Sequence, residues 1–472
     1  MSSLITMTAR EVVRLLRSGD VSPVAVLEEL RAHTEVADER VNALPIRFFD
    51  AALGAARELE RRAPAERGML AGLPVAVKDY NDVAGQRTTH GSPLTDEVAA
   101  ESDAMVRVLE SNGAVPYAKS NVPEFAGGHT YNTLFGASRN PWNLGRSVGG
   151  SSGGSAAALA SGSAWLATGN DLGGSLRTPS GFNGTVGLRP TPGRIPRRRP
   201  ATPFDTLWVE GPMARNVPDL ALMLDAMVGS DPHDPLTRPE CPASFLDRLD
   251  TFDAPRRVGY SPDLGVLPVE REVRRVCAGA LKHIEALGAD VVEECPDFSG
   301  AYDAFQALRG HLVAALHGGL LAAHRDRIKP DIVWNIESGL NQSVARLQQA
   351  ERTRGELFHR VLDFFGDHDL LVCPSAPLEP FPVEWTSPRT LDGVATETYI
   401  DWIAITFFVS LTGCPVVALP CGFSASGLPV GLQLIGRPGD EARLLSYAAR
   451  LEQSFGVAGL LPVTPREPGA PA

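Results

Sequence analysis

An α/β fold is what this sequence predicts, on three observations. Short apolar runs alternate with helical patterns along most of the chain, turn residues punctuate each change, and no internal repeat or low-complexity block interrupts them. The 472 residues, 43% hydrophobic and 21% charged, are of ordinary globular composition and allow a large core. Length alone would allow two or three domains, but large α/β enzymes often form one unit.

The elements follow in chain order. Residues 8–34 read as two helices: Thr8 to Glu11 has the form of a capping box, Gly19-Asp20 separates them, and Ser22-Pro23 places a cap before a first-turn proline. A third helix is expected over 48–62. Leu73-Pro-Val-Ala-Val77 is a short apolar strand stopping at Lys78-Asp79. A helix over 102–112 and a strand over 114–118 come next. Residues 127–154, rich in Gly, Asn, Ser and Pro, read as loop. A helix over 155–161 and a strand over 164–168 follow, then a helix over 217–228. Residues 229–256, rich in Pro and Asp, are the expected surface excursion. Alternation resumes at 257–260, 269–287 and 289–294, with helices over 301–328 and 341–366. Strands at 369–373, 415–420 and 429–435 and a helix over 440–454 close the pattern. The tail Pro465–Ala472 is expected to fray.

Charge and cysteine usage narrow the class. A formal net charge of −12 argues against nucleic-acid binding, which calls for a basic face. The six cysteines, at 241, 277, 295, 373, 414 and 421, form no CxxC pair, so reduced thiols are expected. With no signal-peptide pattern and no apolar run long enough to cross a bilayer, a cytoplasmic location is expected, away from membranes. Lysine is scarce: of 44 basic residues only Lys78, Lys119, Lys282 and Lys329 are lysines. Base composition explains an arginine excess and would leave the four at random. A function would select lysine where an amine must lose its proton.

Two turns carry the chemistry: Gly149-Gly-Ser-Ser-Gly-Gly-Ser155 and Asp171-Leu-Gly-Gly-Ser-Leu-Arg177. Gly/Ser runs are commonly linkers, but these are hemmed by apolar elements and belong inside the fold. Convergent N–H groups on such turns suit an anion, either a phosphate or the oxyanion of acyl transfer. Neither a GxxxxGK[ST] nor a strand-borne GxGxxG is present, so nucleotide binding finds little support. Gly149 to Gly153 matches GxSxG, yet it follows a loop-like segment, and no histidine lies beyond His368. A histidine-based α/β-hydrolase esterase is therefore a remote alternative.

These segments, with Gly72-Leu-Pro-Val-Ala-Val-Lys-Asp79, Lys119-Ser-Asn-Val-Pro-Glu-Phe125, Arg139-Asn-Pro-Trp142, Gly184 to Gly193, Gly211 to Asn216, Gly413-Cys-Pro and Gly431 to Gly436, resemble the amidase signature family over residues 7–455. The resemblance implies one large domain over 1–472, a mixed central β-sheet with helices on both sides, and residues 7–62 as N-terminal helices packing on it. It also implies a Ser-Ser-Lys amidohydrolase: Ser175 as nucleophile, Ser151, preceded by a cis peptide, as proton relay, and Lys78 as base. Leu172, Gly173 and Gly174 would form the oxyanion hole, and Ala126, Gly127, Gly128 and Trp208, with the 200–213 loop and the 300–410 region, the substrate pocket. Serine needs such a base in hydrogen-bond reach, and lysine serves only where burial and dipoles favour its neutral form.

Around these residues the expectations are looser. Ser152 and Ser155 are expected to be structural, Ser155 as a support for Lys78. Asp171 and Arg177 are expected to pair. Asp79 either holds Lys78 or ends its strand, and His129 either reaches the pocket or lies on the surface. Cys414 and Cys421 are expected as core thiols, and Arg197-Arg-Arg199 as a solvated loop. Asn170 and Arg189 depart from the threonine and lysine common at those positions. Phe204, Trp208, Trp334, Trp402, Phe407 and Phe408 suggest a neutral, hydrophobic or aryl amide as substrate. The alternative is the A subunit of an amidotransferase that works on misacylated tRNA with partner chains. Against it, the stretch Ala345 to Gly355 lacks the Arg- and Tyr-rich motif of that subunit. A non-catalytic binding protein would be expected to have lost one of Lys78, Ser151 or Ser175. No cofactor or metal is called for, and a homodimer stays open.

Overall fold

The computed structural model describes residues 3–197, 201–238, 243–265 and 268–469. Its frame is one mixed sheet of eleven strands: β1 (Ile46–Arg47), β2 (Pro74–Lys78), β3 (Val115–Ser120), β4 (Leu166–Asp171), β5 (Val186–Arg189), β6 (Val209–Ala214), β7 (Arg257–Tyr260), β8 (Asp290–Val292), β9 (Leu370–Pro374), β10 (Val416–Phe423) and β11 (Pro429–Ile435). Their spatial order is β1-β3-β2-β4-β6-β5-β10-β11-β9-β7-β8. Strands β3, β2 and β4 run parallel, as do β9, β7 and β8, while the pairs from β4 to β9 across the centre are antiparallel.

Thirteen helices among the described residues surround the sheet: α1 (Ala9–Ser18), α2 (Pro23–Val41), α3 (Phe49–Glu60), α4 (Ala104–Ser111), α5 (Gly153–Ala160), α6 (Arg177–Asn183), α7 (Val217–Met227), α8 (Arg271–Ala286), α9 (Ala301–His324), α10 (Pro330–Leu340), α11 (Val344–Asp367), α12 (Ala404–Leu411) and α13 (Glu441–Phe455). None is long and apolar enough to cross a membrane. The expected caps are in place: Thr8 and Glu11 close a reciprocal capping box, and Ser22 accepts from Ala25 N–H ahead of Pro23. The N-terminal helices are tied to the body where Asp219 on α7 accepts from Ala9 and Arg10 N–H.

The main core threads the sheet and its covering helices. Helix α5 is buried on every side, because it runs under the sheet as a stripe of glycine, alanine and serine. Gly154 is required there: a Cβ would overlap the backbone of Asn121. Ser155 Oγ donates to Thr168 O at 2.8 Å and bonds Ser120 Oγ at 2.7 Å, bolting α5 to β4 and β3.

The structure departs from the sequence reading in several places. Helix α12 is absent from that reading, since Ala404 to Leu411 is an apolar run without periodicity, and all eight residues are buried. Helix α10 fills part of the gap left between the helices expected over 301–328 and 341–366. The 127–154 loop carries two short antiparallel ribbons, Tyr131–Asn132 with Gly136–Ala137 and Arg139–Asn140 with Asn143–Ser147. The 229–256 excursion has no helix or strand among its described residues and is pinned where Phe245 and Leu249 enter the main core; residues 239–242, Cys241 among them, lie outside the described residues. The tail docks rather than frays as far as Arg466, which exchanges backbone hydrogen bonds with Pro141 and Leu144. Residues 470–472, and Arg198 and Arg199 of the basic run, lie outside the described residues.

Candidate active site

Parallel pairing of β2 with β4 brings two C-terminal strand ends to one edge of the sheet, where crevices form in open α/β folds. Lys78 ends β2 there, held by its N–H on Thr168 Oγ1 at 2.8 Å. Its side chain is fully buried. Nζ donates to Ser151 Oγ at 2.8 Å, to Ser152 Oγ at 2.8 Å and to Asn170 Oδ1 at 2.5 Å. The two serines stand at the N-terminal end of α5, and the Gly150–Ser151 peptide is cis.

Ser175 follows β4 on the turn that leads into α6, and it is half-buried while its flanking residues Gly174 and Leu176 are buried. Its carbonyl accepts from Ser152 N–H at 3.3 Å, joining the two glycine-rich turns. No hydrogen bond links Ser175 Oγ to Ser151 Oγ in this structure, yet both residues line one cavity. Contacts of this kind commonly tighten only when substrate is bound.

The turn before Ser175 is held by charge. Asp171 receives Arg177 Nε at 3.0 Å and Nη2 at 2.9 Å, and Arg189 Nη1 at 3.1 Å, with all three side chains fully buried. It also accepts from Gly174 N–H at 2.9 Å and Leu176 N–H at 3.1 Å. Burial alone would raise its pKa; the two guanidiniums outweigh that and hold the carboxyl well below the usual carboxylate range. Burial, then the like charge of Arg177, pushes Arg189 down to about 10. Arg177 goes on to bond Thr406 O, Gln433 Oε1 and Ser410 Oγ, so the turn is anchored to α12 and β11. Thr406 Oγ1 donates to Gly173 O at 2.6 Å, and a Cβ on Gly174, at φ +126°, would overlap Thr406.

Of the three expected oxyanion donors, Gly174 N–H is thus engaged by Asp171. The N–H groups of Leu172, Gly173 and Ser175 have no acceptor among the described residues, and all three residues line the cavity.

The cavity is narrow, with about 50 Å³ open to water-sized groups. Ala126, Gly127, Gly128 and Trp208, all expected from the sequence, line it together with Gly150, Ser151, Asn170 and Phe125. One stripe of α9, Phe305, Arg309 and Val313 at successive i, i+4 positions, forms a wall. Ile332 and Asn335 on α10 and Tyr399, Ile400 and Ile403 ahead of α12 complete it. All eight fall in the 300–410 region that the resemblance implies for the pocket, yet none stands out singly, for nothing local marks a helix face that meets a cavity built by distant segments.

Several looser expectations are corrected or decided. Ser155 supports the α5 contacts described above rather than Lys78; Ser152 and Asn170 take that place. Asn170 is thus part of the site, and its Nδ2 is buried without a partner. Asp79 does not hold Lys78: it accepts from Thr89 N–H at 3.0 Å and lies 4.0 Å from Lys119. His129 is neither in the cavity nor on the surface. It is buried between Tyr131 and Phe381, and burial, then nearby Lys329, lowers its pKa to about 3. Among the six aromatics, only Trp208 reaches the cavity: Phe204 is exposed, Trp334 partly so, Trp402 belongs to a separate cluster, and Phe407 and Phe408 are core. Cys414 and Cys421 are buried thiols. Among the described residues no group of His, Cys, Asp or Glu converges as a metal site would.

Known proteins are similar to this chain in sequence and in fold over nearly its whole length. The amidase family matches residues 25–445. The chain is 34% identical to an acylamidase of Rhodococcus erythropolis over 94% of its length and 95% of that protein. It is also 33% identical to the A subunit of the glutamyl-tRNA(Gln) amidotransferase of Synechococcus sp. (strain CC9605), over 93% of this chain and 94% of that one. The crystal structure of a bacterial aryl acylamidase of the amidase signature enzymes superimposes with a TM-score of 0.89 at 27% identity, covering 99% of both chains.

Proposed function

The chain belongs to the amidase family, and from that premise we propose that it hydrolyses the C–N bond of a small amide with a hydrophobic or aryl body, through an acyl-enzyme on Ser175. The single observation that carries this reading is the fully buried Lys78 Nζ at 2.8 Å from Ser151 Oγ, beside a cavity that Ser175 also lines.

In this mechanism Ser175 Oγ attacks the amide carbonyl as its proton passes through Ser151 Oγ to a neutral Lys78 amine. As a neutral amine Lys78 donates its two N–H to Ser152 Oγ and Asn170 Oδ1 and turns its lone pair to the Ser151 hydroxyl, 2.8 Å away; all three partners are uncharged, and burial disfavours the ammonium form. Leu172, Gly173 and Ser175 N–H groups receive the oxyanion, each donor of this kind lowering the barrier by about 3 kcal/mol. The proton then returns by way of Ser151 to the leaving nitrogen. Water, deprotonated along the same path, attacks the acyl carbonyl and releases the acid and Ser175. Phe125, Trp208, Phe305 and Ile332 supply apolar surface for the substrate body. The chain acts here as one catalytic domain, in the cytoplasm.

The test is turnover of an amide panel by wild type, Ser175→Ala and Lys78→Ala. Both variants are expected to lose about 10³-fold or more in kcat. Full activity in Ser175→Ala would refute the mechanism, and faster turnover of short aliphatic amides than of anilides would refute the aryl preference. The similarity to the amidotransferase A subunit supports a second reading, transamidation with partner chains. Under it the purified chain alone would release no ammonia or amine.

A further inference from the structure

The cavity wall holds one charge that the hydrolysis of a neutral amide does not use. Arg309 is the single charged side chain among the residues that line it, and it is 6% exposed. No carboxylate among the described residues lies within 4.0 Å of it. Its Nη2 donates to Tyr399 Oη at 2.5 Å, and the guanidinium lies 5.6 Å from the centre of that ring. Tyr399 Oη also accepts from Asn335 Nδ2, and Asn335 Oδ1 is buried without a partner. A guanidinium spared a counter-ion in a buried pocket with no other charged side chain in its lining is costly in the empty protein and suited to a planar, bidentate anion. Other buried arginines are met by more acceptors: Arg177 and Arg189 share Asp171, while Arg67 and Arg215, which have no carboxylate within 4.0 Å among the described residues, donate to backbone carbonyls of Leu16, Glu60 and Arg62 and of Ile5 and Met7.

We propose that Arg309 is a specificity-determining residue and that the amide carries a carboxylate, which docks on Arg309 beside Tyr399 and Asn335. The inference rests on the amidohydrolase reading and adds to it: the substrate has an apolar or aryl body with an acidic group apart from the scissile bond. Asn335 Oδ1 accepts a neighbouring N–H of that substrate, which gives the site a donor and an acceptor side by side. A carboxylate remains ionised at all working pH values above about 5, so the contact is charged throughout the useful range.

The experiment compares matched anilides on the full chain: succinanilic acid against butyranilide, and N-acetyl-4-aminobenzoate against acetanilide. The readout is the ratio of kcat/KM for each acid over its neutral partner, taken on one sample so that a partly inactive preparation cancels. In wild type at least one ratio is expected to exceed about tenfold, the selectivity a charge-assisted contact supplies. Arg309→Met is expected to bring that ratio to about one or below, and Arg309→Lys to keep it above that of Arg309→Met. Wild-type ratios near one for both pairs would overturn the inference, and so would an Arg309→Met that lowers acid and neutral substrates in equal proportion. Should Arg309→Met not fold, the wild-type ratios and Arg309→Lys still decide. Ser175→Ala separates the two claims: loss of all anilide turnover with wild-type ratios near one overturns the Arg309 inference alone, whereas undiminished turnover in Ser175→Ala overturns the mechanism beneath it.

Discussion

Replacing Asp171 by asparagine tests whether charge holds the turn that presents Ser175. The carboxylate takes five hydrogen bonds, from Arg177 Nε and Nη2, Arg189 Nη1, and the N–H groups of Gly174 and Leu176. An amide has one oxygen to accept with, and it turns an NH₂ toward the guanidiniums. The buried charge of the cluster rises from +1 to +2, with every member fully buried and little screening by water. Removing one partner of a buried pair costs about 3–5 kcal/mol, and here two cations lose the same anion. Set against total stabilities of about 5–15 kcal/mol, Asp171→Asn should unfold at clearly lower urea. The assay is urea denaturation of wild type, Asp171→Asn, Arg177→Met and the double variant. A coupling between Asp171 and Arg177 of about 2 kcal/mol or more is expected. A loss under about 1 kcal/mol in Asp171→Asn, or additive single effects, would refute the view that this triad organises the turn. The sign of the pH dependence follows. Because its folded pKa is depressed, Asp171 contributes stability that is present above its unfolded value near 3.9 and lost only as pH falls through the lower folded value.

Two further predictions concern single side chains. Asn170→Asp places a carboxylate beside Lys78 Nζ, now 2.5 Å from the amide oxygen. If Lys78 works as a neutral amine, this variant should lose at least about tenfold in kcat/KM near neutral pH and recover as pH rises, while Asn170→Thr stays active; a pH–rate profile without that displacement would contradict the role of the base. Glu452 has its pKa raised to about 8, by burial above all, and its Oε1 accepts from Val217 N–H at 2.8 Å. Its contribution to stability is full below its unfolded pKa of about 4.3 and is lost as pH rises through about 8. Glu452→Gln keeps the acceptor without the charge, so in thermal melts it should gain on wild type between pH 5 and pH 8; an equal difference at both pH values would contradict this.

The candidate site was legible because its residues lie in short segments whose composition an inert turn would not need. Gly150 to Gly154 and Asp171 to Arg177 combine glycines with serines inside apolar surroundings, and Lys78 ends an apolar strand in a chain with four lysines. Strand and helix periods placed most of the sheet, and Thr8 and Ser22 capped the helices expected of them. Where periodicity vanished the reading stopped: α12 is apolar on all sides, and β5 and β6 are short and fully buried.

What the sequence by itself determined is therefore the class of fold and a set of candidate groups, glycine, serine and lysine at fixed local spacing. Only the tertiary structure decided which groups face one another. It gave Lys78 the oxygen of Asn170 rather than Ser155 or Asp79, gave Asp171 two arginines rather than one, and took Gly174 N–H from the free donors. It also built the pocket wall from α9, α10 and Tyr399, far along the chain from Ser175. The physical reason is that a hydrogen bond or a buried charge is settled by distances across packed elements. In sequence Arg309 is one more helical arginine. Its meaning comes from the cavity, without another charged side chain in its lining, on which its face of α9 closes.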